Sequence, residues 1–244
     1  MILEFFTVFF SSLCGGFFVS KKSFSPTVLH HLLTFSGGYL LSVTLLHLMP
    51  TLFVSTTPPT HIGGCVLIGF LLQRFVEMFS AGVEHGHSMA PVSAHCCVTH
   101  LSFFPFLISI MVHALLDGTV LAHGHGPHTG SNQSLWVGMI LHKFVEAFAL
   151  MSVLRSFTIS VKSRLCYLVL FSLVAPLGFW LSCCANAYMA DRVGNTILAI
   201  VTGNFLYISA TMLFEASPAH RSSKRTICMS LLGAGLAAFV EYFA

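Results

Sequence analysis

Eight long runs of apolar residues alternate with short polar segments along this 244-residue chain. Each run is about 20 residues or longer, the length that an α-helix needs to cross the hydrocarbon core of a bilayer. Clusters of Gly, Pro, charged and hydroxyl residues separate the runs and favour loops. The pattern predicts an all-α integral membrane protein with eight spanning helices, at about 1–20, 28–54, 62–83, 101–123, 133–157, 164–187, 193–216 and 225–243.

The composition supports this interpretation. Apolar residues make up 55% of the chain and charged residues only 8%, with a mean hydropathy of +0.85. Soluble domains carry about 25% charged residues, so we expect a single transmembrane domain over residues 1–244. The eight cysteines lie mostly in apolar runs and do not resemble a disulfide scaffold. The first run contains Glu4 and lacks the basic start of a signal peptide, so we expect it to remain as helix 1.

Basic residues are concentrated in the loops on one side of the predicted bundle. The loops after helices 1, 5 and 7 contain eight Lys or Arg residues, whereas the loops on the opposite side contain only Arg192. Lys and Arg in loops favour the cytoplasmic side of a membrane. We therefore expect both termini on the outer side and the loop between helices 3 and 4 in the cytoplasm.

Two short motifs recur in the first and last parts of the chain. The pattern Y-x7-[HE]-x2-P begins at Tyr39 in helix 2 and again at Tyr207 in helix 7. The triplet Phe-Val-Glu ends at Glu77 in helix 3 and at Glu241 in helix 8. Because the paired helices cross the bilayer in opposite senses, the motifs predict that helices 1–3 and 6–8 are inverted repeats around helices 4 and 5. Chance is the alternative, since the triplet also occurs at 144–146.

Helices 4 and 5 each contain a histidine and a carboxylate four residues apart. His113 precedes Asp117 in one helix, and His142 precedes Glu146 in the other. Residues at i and i+4 lie on one face of a helix, and ionisable groups at membrane depth are costly unless they meet polar partners. If the two faces meet, two imidazoles and two carboxylates form a ligand set suited to Zn²⁺ or a similar ion. A proton pathway, or histidines bonded to nearby carbonyl groups, are the alternatives.

Lys143 lies three residues before Glu146, where it can pair with that carboxylate across one helical turn. Its positive charge would offset part of the negative charge of the two acids. It would also disfavour a second metal ion beside the first, so we expect one metal ion. Alternatively, Lys143 extends to the membrane interface and contacts neither acid.

Five segments of the chain carry a resemblance to a known family. They are FSGGYLLSVTLLHLMP at 35–50, HALLDG at 113–118, HKFVEAFAL at 142–150, APLG at 175–178 and GNFLYISATMLFE at 203–215. They resemble motifs in the second, fourth, fifth, sixth and seventh helices of the ZIP (Zrt-, Irt-like protein) family of divalent metal transporters.

The resemblance implies a transporter without a cofactor, whose substrate is Zn²⁺ or else Fe²⁺, Mn²⁺ or Cd²⁺. It implies that the transported ion binds the four residues that the spacing indicates: His113, Asp117, His142 and Glu146. Asp117 stands where the family usually has Glu. Ala114, Lys143 and Ala175 stand where some members have ligands of a second metal ion, which again favours a single-metal site.

Two loops contain further ligand-type residues. The loop between helices 3 and 4 resembles the His-rich loop of many ZIP proteins, and the resemblance implies that it receives or senses metal in the cytoplasm. The loop between helices 4 and 5 follows the Asp117 helix and is a candidate for metal capture on the outer side. Simple polar linkers are the alternative for both. The candidate residues are His85, His87, His95, Cys96, Cys97, His100, His123, His125 and His128.

Three further ionisable residues lie within the predicted helices away from the central pairs. His47 is a candidate for lining the outer entrance. Glu77 and Glu215 are candidates for lining the path near the cytoplasmic side. Structural roles are equally open, including an i−3 pair between Arg74 and Glu77.

We therefore predict a transporter that moves Zn²⁺ into the cytoplasm through a single-metal site between helices 4 and 5, in the plasma or inner membrane. Its expected partners are the metal ion and the lipid bilayer; a homodimer is left open, and neither nucleic acid binding nor enzymatic activity is expected. One alternative is a cation-diffusion-facilitator exporter, whose usual plan has six spans and a soluble C-terminal domain. Another is a ceramidase-like membrane zinc hydrolase, whose catalytic zinc would keep an open water position.

Overall fold

The computed structural model describes residues 2–22, 24–80, 103–123, 133–186, 191–214 and 224–243. Within these ranges the chain forms eight helices that are long and apolar enough to cross a membrane, and no strands. In chain order they are α1 (Ile2–Lys21), α2 (Pro26–Val54), α3 (Pro59–Ser80), α4 (Phe103–His123), α5 (Gln133–Leu154), α6 (Val161–Asn186), α7 (Asp191–Phe214) and α8 (Lys224–Phe243). The predicted all-α fold with eight spanning helices is confirmed.

The helices differ in how much of their surface the bundle buries. Helices α5 and α7 are mostly buried, whereas α1, α3 and α8 are mostly exposed. The exposed positions include large apolar side chains such as Leu71 of α3 and Leu231 of α8. Exposed apolar surface of this extent is expected where a helix faces lipid. Helix α5, which carries His142 and Glu146, therefore lies deep within the protein.

Four helix pairs form the most extensive packing in the described part of the chain. They are α1 with α5, α4 with α6, α2 with α8, and α3 with α7. Inverted repeats would make α1 equivalent to α6, α2 to α7, α3 to α8 and α4 to α5. Under this correspondence, the α1–α5 pair is equivalent to the α6–α4 pair, and the α2–α8 pair to the α7–α3 pair. This pattern is what inverted repeats would produce, but the inverted repeat itself stays a prediction.

Helix α2 contains one turn of π-helix, Thr44–Leu48, between two α-helical parts. The N–H of Met49 donates to the carbonyl of Thr44, five residues back. Pro50 follows, and its ring would clash with the carbonyl four residues earlier in a regular α-helix. The wider turn accommodates this proline and includes His47. Such turns are rare and often lie at functional sites.

Glycines allow α4 and α6 to pack backbone against backbone beside the Asp117 position. A Cβ atom on Gly118 would lie 2.0 Å from the carbonyl oxygen of Ala175. A Cβ atom on Gly178 would lie 2.2 Å from the carbonyl oxygen of Leu115. Small residues permit such close approach in membrane helix pairs. The contact fixes the distance of α4, and hence of its ligand-type side chains, from α6.

We expect Gly178→Ala to destabilise the protein, because the new methyl group would force α6 away from the backbone of α4. Overpacking of this kind costs about 1–3 kcal/mol. Gly235→Ala on α8 is the matched control, since nothing lies within 4 Å of its added methyl group. Alanine is a better helix former than glycine, so the control should melt at the same or a higher temperature. Equal melting temperatures for the two purified variants would contradict the close contact.

Candidate metal centre

Four ligand-type side chains from α4 and α5 meet at the centre of the bundle. Their ligand atoms all lie within 4.8 Å of one another, and every side chain is at most 1% exposed. Each helix supplies one imidazole and one carboxylate, four residues apart. The described structure thus brings together the four residues that the spacing indicates: His113, Asp117, His142 and Glu146.

Four of the separations, each between an imidazole nitrogen and a carboxylate oxygen, are close to that between two ligands of one tetrahedral metal ion. Bonds of about 2.0–2.2 Å to zinc place two tetrahedral ligands about 3.4 Å apart. The Oδ2 atom of Asp117 lies 3.1 Å from Nε2 of His113 and 3.5 Å from Nε2 of His142. The carboxylate of Glu146 lies 3.6 Å from His113 Nε2 and 3.8 Å from His142 Nε2. The group could therefore surround one ion.

Several polar atoms of this group make no hydrogen bond within the described ranges. They are both ring nitrogens of His113 and His142, one oxygen of Asp117 and one of Glu146. A buried polar atom without a partner costs about 1–3 kcal/mol, and such atoms need a physical explanation. A bound divalent cation would provide one, because it would accept lone pairs from the nitrogen and oxygen atoms together.

Lys143 lies within the same cluster and is completely buried. Its Nζ atom donates to Oδ2 of Asp117 at 2.5 Å and also donates to Oε2 of Glu146. The predicted pairing with Glu146 is therefore confirmed, and the alternative of Lys143 extending to an interface is wrong. The contact with Asp117, on the other helix, was not predicted. The ammonium group contacts the same two carboxylates that a metal ion would bind.

Aromatic rings close the cluster on two further sides. The ring of Phe205, from α7, lies 6.5 Å from the ring of His142 in an edge-to-face arrangement. The ring of Phe171, from α6, lies 5.7 Å from the Nζ atom of Lys143, a distance that allows a cation–π interaction. Both phenylalanines are buried. They keep the site dry, which strengthens electrostatic interactions within it.

Glu77 lies apart from the central cluster and has partners of its own. The hydroxyl of Tyr207, on α7, donates to its carboxylate. The guanidinium of Arg74 lies 3.5 Å from the same carboxylate, which confirms the i−3 contact that was one of the alternatives for Glu77. These contacts tie α3 to α7. They do not test whether Glu77 lines the ion path, so that role stays a prediction.

His47 also lies outside the central cluster, at the end of the bundle that includes the start of α5. Its Nδ1 atom lies 2.9 Å from a carboxylate oxygen of Glu241 on α8. The same carboxylate accepts a hydrogen bond from the hydroxyl of Ser134 on α5. Ser134 was not among the residues singled out from the sequence, and Glu241 appeared there only as part of a repeat motif.

The remaining candidates fall outside the described side chains. Glu215 and the two loops with ligand-type residues belong to 81–102, 124–132 and 215–223, and only the backbone of His123 is described. Predictions for these residues stay predictions: Glu215, His85, His87, His95, Cys96, Cys97, His100, His123, His125 and His128.

A bundle of eight apolar helices around four buried metal-ligating side chains defines a multi-pass membrane protein with a candidate site for a divalent ion. The model of a known family, described as ZIP zinc transporter, matches residues 82–241. The chain belongs to this family, and it is a divalent-metal transporter. A comparison with curated proteins found no match.

Proposed function

We propose that this protein moves Zn²⁺ across the cell membrane into the cytoplasm through a single-metal site between α4 and α5. The observation that carries the proposal is the buried group of His113, Asp117, His142 and Glu146, with ligand atoms within 4.8 Å of one another. Imidazole together with carboxylate suits zinc, although iron, manganese and cadmium also accept these ligands. The whole chain, 1–244, acts as one transporter domain.

The charges of the site support transport of one doubly charged ion at a time. Two carboxylates offset much of the charge of the ion, which lowers the cost of its transfer into a dry site. The ammonium of Lys143 contacts both carboxylates and adds a positive charge beside them. Its repulsion of a neighbouring cation favours a one-metal site over a two-metal site.

The distribution of loop charges supports the orientation of the chain in this proposal. Eight Lys and Arg residues on one side favour the cytoplasm there, so both termini lie outside. The ion then enters at the end of α5 that contains Ser134 and leaves at the opposite end. Movement of α4 and α5 against the other helices would expose the site first to one side and then to the other.

Other residues have supporting roles in this proposal. His47 lies near the entrance, while Glu77 and Glu215 line the path towards the cytoplasm. The outer loop captures metal through His123, His125 and His128, and the cytoplasmic loop receives it through the following residues: His85, His87, His95, Cys96, Cys97 and His100. No catalytic step is required, in keeping with a family of transporters.

The test is uptake of radioactive zinc by cells that express the intact chain, measured against cells without it. We expect uptake that saturates with zinc concentration and that excess unlabelled Zn²⁺ suppresses more strongly than equal Mn²⁺ or Fe²⁺. Loss of preloaded zinc from the cells would instead indicate an exporter. Absence of any zinc movement, with metal-dependent hydrolysis by the purified protein, would overturn the proposal in favour of an enzyme.

A further inference from the structure

Helices α2, α5 and α8 meet at a second group of polar side chains, well removed along α5 from the central cluster. The Nδ1–H of His47 donates to Oε1 of Glu241 over 2.9 Å. The hydroxyl of Ser134 donates to the other oxygen of the same carboxylate. The group thus contains an imidazole, a carboxylate and a hydroxyl, each from a different helix. Glu241 is the only acidic residue in α8, which is otherwise largely apolar.

The local backbone supports a specific role for this group. His47 lies in the π-helical turn of α2, whose extra residue changes the direction of the side chains that follow. An isolated carboxylate near the end of a membrane helix is costly unless it has a partner. The π-helical turn and the isolated carboxylate therefore both belong to the contact between His47 and Glu241.

The second group is more accessible than the central cluster. The side chains of His47 and Glu241 are 10% and 27% exposed, whereas those of the central group are at most 1% exposed. The second group lies near one end of the bundle, whereas the four ligands of the central group are enclosed by helices.

One face of α5 connects the two groups. Ser134, Gly138 and His142 follow each other at intervals of four residues, so they lie on the same side of the helix. At a rise of 1.5 Å per residue, Ser134 and His142 are about 12 Å apart along the axis. Between them, the ring of Tyr39 packs against Gly138, where an added Cβ would lie 2.9 Å from the ring.

Tyr39 separates the two groups. Its side chain is fully buried, and its hydroxyl donates to the carbonyl of Ser134 at 3.1 Å. The tyrosine ring therefore lies between the two groups along this face of α5.

We propose that His47, Glu241 and Ser134 form a second divalent-cation site, a relay site that holds the ion before it passes Tyr39 to the central cluster. The inference rests on the proposed transport function and extends it. Imidazole nitrogen and carboxylate oxygen are good ligands for zinc, and water completes the coordination at this accessible position. With one carboxylate instead of two, the relay site binds metal more weakly than the centre. Weak binding is what a transit site needs, because the ion must leave it again.

The structural alternative is a clamp in which the imidazole and the carboxylate only join α2 to α8. A clamp and a relay site differ in what their loss changes. Loss of a clamp lowers the melting temperature and leaves the number of bound ions unchanged. Loss of a relay site removes one bound ion and raises the zinc concentration for half-maximal uptake, while the maximal rate changes little.

The experiment compares zinc binding by equilibrium dialysis of the purified full-length protein and four variants. Glu241→Gln and His47→Gln alter the relay site, and the double variant His113→Ala/His142→Ala alters the centre. His61→Gln is the control, because His61 bonds Thr196 at the same end of the bundle and belongs to neither site. We expect Glu241→Gln and His47→Gln to lose one weakly bound ion per chain relative to the intact protein. The central double variant should keep that ion, and His61→Gln should bind like the intact protein.

Uptake measurements complete the test. We expect the relay-site variants to need at least about fivefold more zinc for half-maximal uptake, with a maximal rate within about twofold of the intact chain. Unchanged binding by Glu241→Gln and His47→Gln together with unchanged half-saturation would overturn the relay site. Failure of the central site would be seen separately, as unaltered uptake in the central double variant.

Discussion

Zinc uptake into proteoliposomes should fall at least about 100-fold when His142 is replaced by Ala. Loss of a residue that only orients a metal ligand typically lowers metal affinity about 10–100-fold, and His142 itself lies within ligand distance of Asp117 and Glu146. The substitution would leave three ligands facing an enlarged dry space. A doubly charged ion would then have too few partners to replace its water. We expect Glu146→Ala to have a similarly large effect, because it removes one of the two compensating negative charges.

The matched control is His31→Ala, which removes a histidine bonded to the Thr27 carbonyl within its own helix α2. The control should transport zinc at close to the normal rate. Both variants should reach the membrane in similar amounts and should be compared at equal protein density. Uptake by His142→Ala within about twofold of the control would remove the central cluster from the transport mechanism.

Replacement of Lys143 by Met should tighten zinc binding at least about tenfold and slow transport. With Lys143 charged and both acids ionised, the formal charge of the site is −1 without metal and +1 with one divalent ion. Without the ammonium group these values become −2 and 0. The metal-free state is therefore destabilised and the metal-bound state is relieved of repulsion between two cations. The ion should bind more tightly and leave more slowly.

Thermal melting provides a second measurement on the same variant. Metal-free Lys143→Met should melt at a lower temperature than the intact protein, because two buried carboxylates lose their common partner. Added zinc should restore much of the loss by binding the folded state. Lys162→Met is the control, since Lys162 is an exposed residue at the start of α6. Weaker zinc binding by Lys143→Met than by this control would contradict a competing role for the ammonium group.

The helices and the central cluster were predictable because both depend on local sequence patterns. Apolar runs of sufficient length predict spanning helices, and the structure has a helix at each predicted span. The four-residue spacing places His113 with Asp117, and His142 with Glu146, on one face of a helix. Polar side chains on apolar helices are then expected to contact each other, because contact with lipid is costly.

Contacts between distant residues could not be predicted in the same way. The Lys143 ammonium reaches Asp117, 26 residues earlier, only because α4 and α5 adopt one particular relative position. The pairing of His47 with Glu241 depends on the packing of α2 against α8 and on the π-helical turn. Neither is encoded in a local pattern. A signal was present for Glu241, because a single acid in an apolar helix is a candidate functional residue by default.

X-ray absorption spectroscopy of the zinc-loaded protein tests the central claim most directly. Zinc at less than one ion per chain should fill the tighter, central site first. We expect four nitrogen or oxygen neighbours at about 2.0–2.2 Å, with scattering from two imidazole rings, and loss of this two-ring signal in His142→Ala. A spectrum dominated by sulfur ligands, or one that keeps both imidazole rings in His142→Ala, would contradict the account.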